Sequence, residues 1–494
     1  MTFTVIKPSR ENAFRWLLAG AIFALLIVFF SPSWSAFRLW SRVPELSGMI
    51  ETRRAVSVLA QVDHPGAEIV DPLHRAIQWR LFFPLVGRAL HLPHALFFSL
   101  AHLGCLLVLG FIVQLLRQTK YEWDEVGCAT VALGSASWFL TSTGWLGYFD
   151  SWLALGLLLV AFADARWIIW LACLLAPWVD ERFVVAAPFA LLCRWLRRPD
   201  QFELGREAGV PAGLLAAFLV VRLGLLGDRS APGATLIGYL GDRNYLDAPP
   251  GRIVLGVWEG LRAGWLFVAM SLFAVRNQRP RLFALGGALV VLVAVGLATA
   301  QDYSRSMTML FPAAVLGLLL ARPSAAGWWR VALRGSAATA LILPAHHVMN
   351  DAVVPVFNLH YALHAIDHPP AIAMAEIYEL RAIHAMERAE FARADLDLAL
   401  AIKLATNPAS PAKQRGILAA SQGRWTDAQT HFSLMAEHDP QNPDAWLMCA
   451  QAHHALGQAA AAYSAIERAL GLAPTDWRSR PDVARFLAKL GPKP

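Results

Sequence analysis

Apolar runs broken by short polar loops fill the first 350 positions of the chain. The first extends from Phe14 to Phe30, and later ones centre near residues 105, 132, 157, 172, 189, 217, 264, 291, 313 and 340. A bilayer span needs roughly 20 mostly apolar residues. The pattern therefore predicts an all-α, polytopic transmembrane helix bundle of about eleven spans. The runs near 172 and 189 are short and are separated by Pro177-Trp178-Val179-Asp180-Glu181-Arg182. They read either as two short helices meeting at a wet external face or as one re-entrant pair. The first run also admits a signal-peptide reading, with Ser33-Trp34-Ser35 before Ala36 as a weak cleavage site.

The pattern changes after about Ala371, where Ala, Glu, Gln, Arg and His dominate. A period of 34 residues links Gly423 to Gly457, Ala428 to Ala462, Phe432 to Ile466 and Pro440 to Pro474. One period earlier, Ala394 matches Ala428 and Leu398 matches Phe432. Small residues at helix contacts, an aromatic at Trp446 and a closing proline resemble the tetratricopeptide repeat, over about three units from 374 to 476. Arg478 to Leu490 reads as a capping helix. The expected organisation is a membrane domain over 1–350 with a long first external loop over 31–93, a linker over 351–373, and an α-solenoid over 374–490. The repeats read as a surface for a protein or peptide partner, against the alternative of a spacer packed on the membrane domain.

Composition supports the membrane reading. Of 494 residues, 56% are hydrophobic and 16% charged, against about 25% charged in an average soluble domain. The net charge of +7 does not imply nucleic acid, because the basic residues are strung along short loops. Lys7, Arg10 and Arg15 precede the first span and place the N-terminus in the cytoplasm. Arg117 with Lys120 belong to the same side, as do Arg194, Arg197, Arg198 and Arg206, then Arg276, Arg279 and Arg281, then Arg322, Arg330 and Arg334. An odd span count puts the repeats outside the cytoplasm, in the periplasm of a bacterium with two membranes. None of the five cysteines forms a CxxC pair, so neither a disulfide framework nor a zinc site is expected.

Ionisable residues within or beside spans are costly and tend to carry function. Four such places project to the external side: Asp150 after Gly147-Tyr148-Phe149, Asp180-Glu181-Arg182, Asp302-Tyr303-Ser304-Arg305, and the first loop with Asp63, His64, Glu68, Asp71 and His74. Carboxylates beside arginines suit a metal, a phosphate or sugar hydroxyls. Structural readings compete: Asp150 as a helix cap, Asp180 to Arg182 as a solvated turn, and Asp302 with Arg305 as a local pair. Glu259 and Arg262 read as an ion pair on one helix face that fixes packing, and Arg222 as a snorkelling side chain. Leu73, Ile77, Leu81 and Leu85 form a stripe that predicts an amphipathic helix carrying Arg75 and Arg80, suited to anionic head groups. Adjacent histidines at 346–347 and 453–454 face different ways on a helix and make poor ligand pairs. There is no Walker loop, GxGxxG, GxSxG or HExxH motif.

The order of these features resembles the GT-C class of membrane glycosyltransferases, over about residues 10 to 350 plus the tail. The resemblance rests on Leu73 to Leu85, Tyr148-Phe149-Asp150, Asp180-Glu181-Arg182 and Asp302-Tyr303-Ser304-Arg305-Ser306. It implies transfer of a sugar from a polyprenyl-phosphate carrier at the external face. In that reading Arg75 or Arg80, with Arg182 or Arg305, holds the phosphate, and Asp150, Asp180 and Asp302 complete the substrate site. Asp63, Asp71 or Glu181 is the candidate base, and a divalent metal (Mg or Mn) bridged by two acids is the one cofactor implied. The chain departs from the class in lacking an Asp-Asp, Asp-Glu or Asp-x-Asp motif near the end of the first span. The competing functional classes are a non-enzymatic envelope scaffold, a glycan polymerase or ligase of another membrane fold, and a transporter.

Overall fold

The computed structural model describes residues 10–30, 50–67, 69, 77–225, 248–321, 327–350, 352–356, 370–474 and 477–490. The chain divides into two compact units. One holds the described residues up to Val356, and the other those from Pro370 to Leu490.

The first unit is a helix bundle. Five of its helices are long and apolar enough to cross a membrane: Glu11–Phe30, His94–Gln118, Leu204–Gly224, Arg279–Thr299 and Tyr303–Ala321. Pro250–Leu261 and Gly264–Val275 make a sixth if they are counted together across an 80° bend. The expectation of about eleven spans exceeds this number for a physical reason. The apolar runs near 132, 157, 172 and 189 fold into shorter helices, Trp123–Gly134, Ser137–Gly144, Asp150–Phe162, Arg166–Leu175 and Arg182–Arg197. At 1.5 Å per residue, a 13-residue helix such as Asp150–Phe162 reaches about 20 Å, short of the ~30 Å hydrocarbon layer. Its apolar side chains are instead buried by other helices. Window hydropathy cannot separate a helix buried in protein from one buried in lipid.

Glycines set several of the close approaches. Gly256 and Gly260 of Pro250–Leu261 lie against Tyr303 and Met307, and Gly317 lies against the Phe267 carbonyl. The sharp bend after Leu261 is fixed by Arg262, a fully buried residue with a positive φ of 49°. Its guanidinium donates to the carbonyls of Ala340, Leu343 and Pro344 at the C-terminal end of Gly327–Ile342 and pairs with Glu259 at 2.8 Å. The Glu259–Arg262 pair thus fixes packing, as the sequence suggested. A small antiparallel hairpin, His346–Val348 with Val353–Pro355, follows, and an isolated antiparallel bridge joins Met349 to Asp302.

The second unit stacks helix pairs: Pro370–Glu387 with Phe391–Leu404, Ala409–Ser421 with Trp425–His438, and Pro443–Ala455 with Ala459–Leu472. Helix Pro481–Leu490 covers the open end. Ala394, Ala428 and Ala462 are each fully buried where helices meet, with Leu398, Phe432 and Ile466 beside them. The turn inside each pair repeats the same bonds. Gly423 N–H donates to the Ala420 carbonyl and Arg424 N–H to that of Ala419; Gly457 and Gln458 do the same with His454 and His453. This is the Schellman closure, which needs a left-handed residue. Both glycines have it, and Ala389 takes the same role one period earlier at φ 58°.

Candidate functional site

Four segments far apart in sequence meet in the first unit through their charged residues. Asp150 opens the Asp150–Phe162 helix, where the helix dipole favours a carboxylate. Arg182 opens Arg182–Arg197, where the dipole disfavours a cation, and Asp180 offsets this. Its Oδ1 accepts from the Arg182 backbone N–H at 3.0 Å and from Arg182 Nε at 2.9 Å. The Arg182 guanidinium also binds Asp150. Arg305 reaches Asp150 at 3.1 Å and Asp180 at 3.9 Å, and pairs with Asp302. Arg80 donates to Asp180 Oδ2 at 2.7 Å.

Asp302 continues the network to the hairpin. Its Oδ1 lies 3.3 Å from His347 Nε2, and His347 Nδ1 faces Ser304 Oγ at 3.4 Å. The Ser304 hydroxyl in turn accepts the Val348 N–H at 3.1 Å. Ser304 and His347 are both buried, so this trio ties the hairpin to the start of Tyr303–Ser306. Burial alone would raise the Asp180 carboxyl, but Arg182 and Arg80 outweigh it and hold the group far below the usual carboxylate range. Arg305 and His347 do the same for Asp302.

Arg54, on helix Ile50–Asp63, joins the cluster from the other side. It is buried, donates from Nε to the Gly147 carbonyl at 3.2 Å and lies 4.0 Å from the centre of the Tyr148 ring. Arg305 lies 4.5 Å from the same ring. The approach needs Gly147, whose φ is +83° and where a Cβ would stand 3.3 Å from the Ala55 backbone. Burial, with the charge of Arg305 acting the same way, pushes the Arg54 guanidinium down to about 10. A cleft of about 20 Å³ runs between Arg54, Gln61, Arg80, Gly147 and Asp180, walled by the stacked rings of Phe83 and Phe149. That is room for a single small polar group at its floor.

The sequence-selected residues sort as follows. Arg80, Asp150, Asp180, Arg182, Asp302 and Arg305 come together. Asp150 is not the expected cap: Phe149 holds that position, and Asp150 turns to the arginines. Asp180 to Arg182 is not a solvated turn, because Asp180 is buried in ion pairs. Glu181 points elsewhere, to Arg222 at 3.0 Å, and is 37% exposed. Arg222 therefore pairs rather than snorkels. Asp63 is exposed at the end of Ile50–Asp63 and takes no part in the network. Asp71 and Arg75, with Glu68 and His74, lie outside the described residues. The expected amphipathic helix over 73–85 is corrected where it is described: residues 77–81 are a turn and short link, and the helix begins at Phe82. His346 and His347 do face apart, but from a strand, one to Glu259 and the other to Asp302.

Sequence reasoning missed Arg54, Tyr148 and His347 as parts of the site. Gly147-Tyr148 was visible beside Asp150, but Arg54 carries no periodic signal and depends on folding of the first loop. Among the described residues no group of three or more His, Cys, Asp or Glu side chains converges as a metal site. The clustered carboxylates each hold arginine instead, so the set does not fit Mg or Mn and no step is assigned to one.

Residues 419–490 match the tetratricopeptide repeat family. The match covers Trp425–His438, the pair Pro443–Ala455 and Ala459–Leu472, and the closing helix; the structure adds the pair Pro370–Glu387 and Phe391–Leu404 and nearly all of Ala409–Ser421 before it. Such repeats generally present surfaces to other proteins. No curated protein matches the chain.

Proposed function

We propose that the chain is a membrane-embedded glycosyltransferase of GT-C type. It would move a sugar from a polyprenyl-phosphate-linked donor to an envelope glycan, lipid or protein acceptor. The supporting observation is the meeting of Arg80, Arg182 and Arg305 with Asp150, Asp180 and Asp302 at one end of an apolar bundle. Arg194 and Arg197, at the far end of the helix that Arg182 opens, mark the cytoplasmic side in this reading. The cluster then faces outward. The finer topology belongs to the same proposal: about eleven apolar segments, several of them short, in the inner membrane of a bacterium, with a cytoplasmic N-terminus and repeats in the periplasm.

Each residue has a role in this reading. Arg182 and Arg305, already neutralised by carboxylates, position the site. Arg80 faces the donor phosphate. Glu181 is the proposed base: it follows Asp180 in the chain, is more open than Asp150, Asp180 or Asp302, and is held by one arginine, Arg222. It would take the proton of the acceptor hydroxyl as that oxygen bonds to the sugar carbon. The bond from that carbon to the phosphate oxygen would break, with its electron pair leaving on the phosphate. The repeats would hold a protein partner.

The test compares a deletion strain carrying the wild type, Glu181→Gln or Asp302→Asn, each shown to reach the membrane at normal level. Envelope glycolipids, polysaccharide and glycoproteins are profiled by mass spectrometry. Loss of one sugar from one species, in the deletion and in Glu181→Gln alike, supports transfer. Full restoration by both variants refutes it. The repeat match favours a second reading, a scaffold that recruits polysaccharide or cell-wall machinery through the repeats. That reading requires repeat-surface substitutions, rather than Glu181→Gln, to abolish function.

A further inference from the structure

Arg54 and Arg80 line the same cleft, and neither is fully partnered by the protein. Arg54 is 7% exposed, and its single hydrogen bond among the described residues leaves the other N–H groups of the guanidinium without an acceptor. No ion pair joins it to a carboxylate among those residues. Arg80 gives one N–H to Asp180, while its buried Nε has no partner. Two guanidinium groups brought together in a low-dielectric cleft repel each other, and their donors are costly to leave unmet. The cleft also contains Asp180, but Arg182 and Arg80 already hold that carboxylate. Among the described residues of the cluster, Arg54, Arg80, Arg182 and Arg305 face Asp150, Asp180 and Asp302, which leaves one positive charge in surplus. Gln61, the other polar side chain of the cleft, is turned to the backbone instead: its Oε1 accepts the Gly66 N–H at 2.8 Å and its Nε2 donates to the Ala67 carbonyl at 2.7 Å.

We infer that the cleft between Arg54 and Arg80 is an anion seat for a phosphate group, with one phosphate oxygen entering between the two guanidinium groups and the remainder facing the open mouth. Guanidinium forks match phosphate oxygens and take more than one of them. The floor admits one oxygen, and the Phe83 and Phe149 rings exclude water from its side, which strengthens each charged contact. The inference rests on the transferase reading only for the identity of the molecule that bears the phosphate. The chemistry is shared by a lipid-linked phosphate and by free phosphate.

The experiment uses the full chain in phosphatidylcholine nanodiscs. Binding is measured with two probes: a polyprenyl monophosphate incorporated in the disc, and inorganic phosphate in the buffer. Wild type, Arg54→Gln and a control, Arg334→Gln, are compared after checking that thermal unfolding without phosphate is the same for all three. Saturable binding of either probe, weakened about tenfold or more by Arg54→Gln and unchanged by Arg334→Gln, supports the seat. The probe that binds identifies the source. Should Arg54→Gln unfold, Arg54→Lys replaces it, and weakened binding by this folded variant has the same meaning, since a point charge lacks the fork. No binding of either probe to wild type, or equal binding by the folded Arg54 variant, overturns the inference. The sugar profile in the deletion strain is read separately. Phosphate binding without sugar loss removes the transferase and keeps the seat; sugar loss with an indifferent Arg54 does the reverse.

Discussion

Asp180 and Asp302 each lie in a ring of positive charge, and this sets how the cluster responds to acid. Their folded carboxyls are held below the unfolded value, which is near 4. A depressed carboxyl contributes stability above its unfolded pKa and loses it as pH falls toward the folded one. The thermal midpoint of the purified protein is therefore expected to hold steady from about pH 7 to 5 and to drop below about pH 4. In Asp302→Asn the acid slope should be shallower; an unchanged slope would mean that Asp302 does not contribute to it. Ala389 offers a second test. It occupies a left-handed position that costs a residue with a Cβ roughly 1–2 kcal/mol. Because Gly also loses more backbone freedom on folding, Ala389→Gly is expected to stabilise the repeats by up to about 1 kcal/mol. Chemical denaturation followed by circular dichroism checks this, and a loss of stability would contradict it. Ala389 also shows why the first repeat is faint in the sequence: the glycine that marks the other two turns is absent, although the bonds are kept.

Among the described glycines, Gly317 has the least room for a side chain: it joins Phe311–Ala321 to Gly264–Val275 and abuts the Phe267 carbonyl. A methyl group there has no room. Gly317→Ala should push the two helices apart and destabilise by about 1–3 kcal/mol, seen as a lower unfolding midpoint in detergent; an unchanged midpoint would show that the helices yield freely. The sequence revealed the repeats well, because a 34-residue period survives in small residues that pack at fixed places. It revealed the charged segments equally well, because Asp150, Asp180, Arg182, Asp302 and Arg305 stand out against apolar surroundings. It was poorer on span number, since a buried helix and a membrane helix have similar composition, and on the hairpin, whose histidines look helical by context. Which charges pair is a long-range property: Arg305 meets Asp150 across 155 positions, and no local pattern announces that.

For the whole molecule, the proposed topology predicts which positions face which side. Glu181→Cys should react with a membrane-impermeant thiol reagent applied to intact spheroplasts. Lys120→Cys should react only after the membrane is permeabilised. Reversed labelling would turn the charged cluster to the cytoplasm and remove the proposed access to an external acceptor. The native thiols at Cys105, Cys173, Cys193 and Cys449 are buried and Cys128 is half-buried, so the labelling is done in a Cys128→Ser background.

The three turns at Ala389, Gly423 and Gly457 work as a ruler. Each repeat unit touches mainly the next one along, and each turns between its two helices through the same backbone closure. A segment one period long can therefore be copied or removed between two of these marks without asking any side chain to find a new kind of neighbour. Duplicating residues 424–457 should lengthen the stack by one unit and leave the closing helix Pro481–Leu490 on its usual seat. The length of the stack is thus adjustable in whole steps, independently of the charged cluster in the first unit.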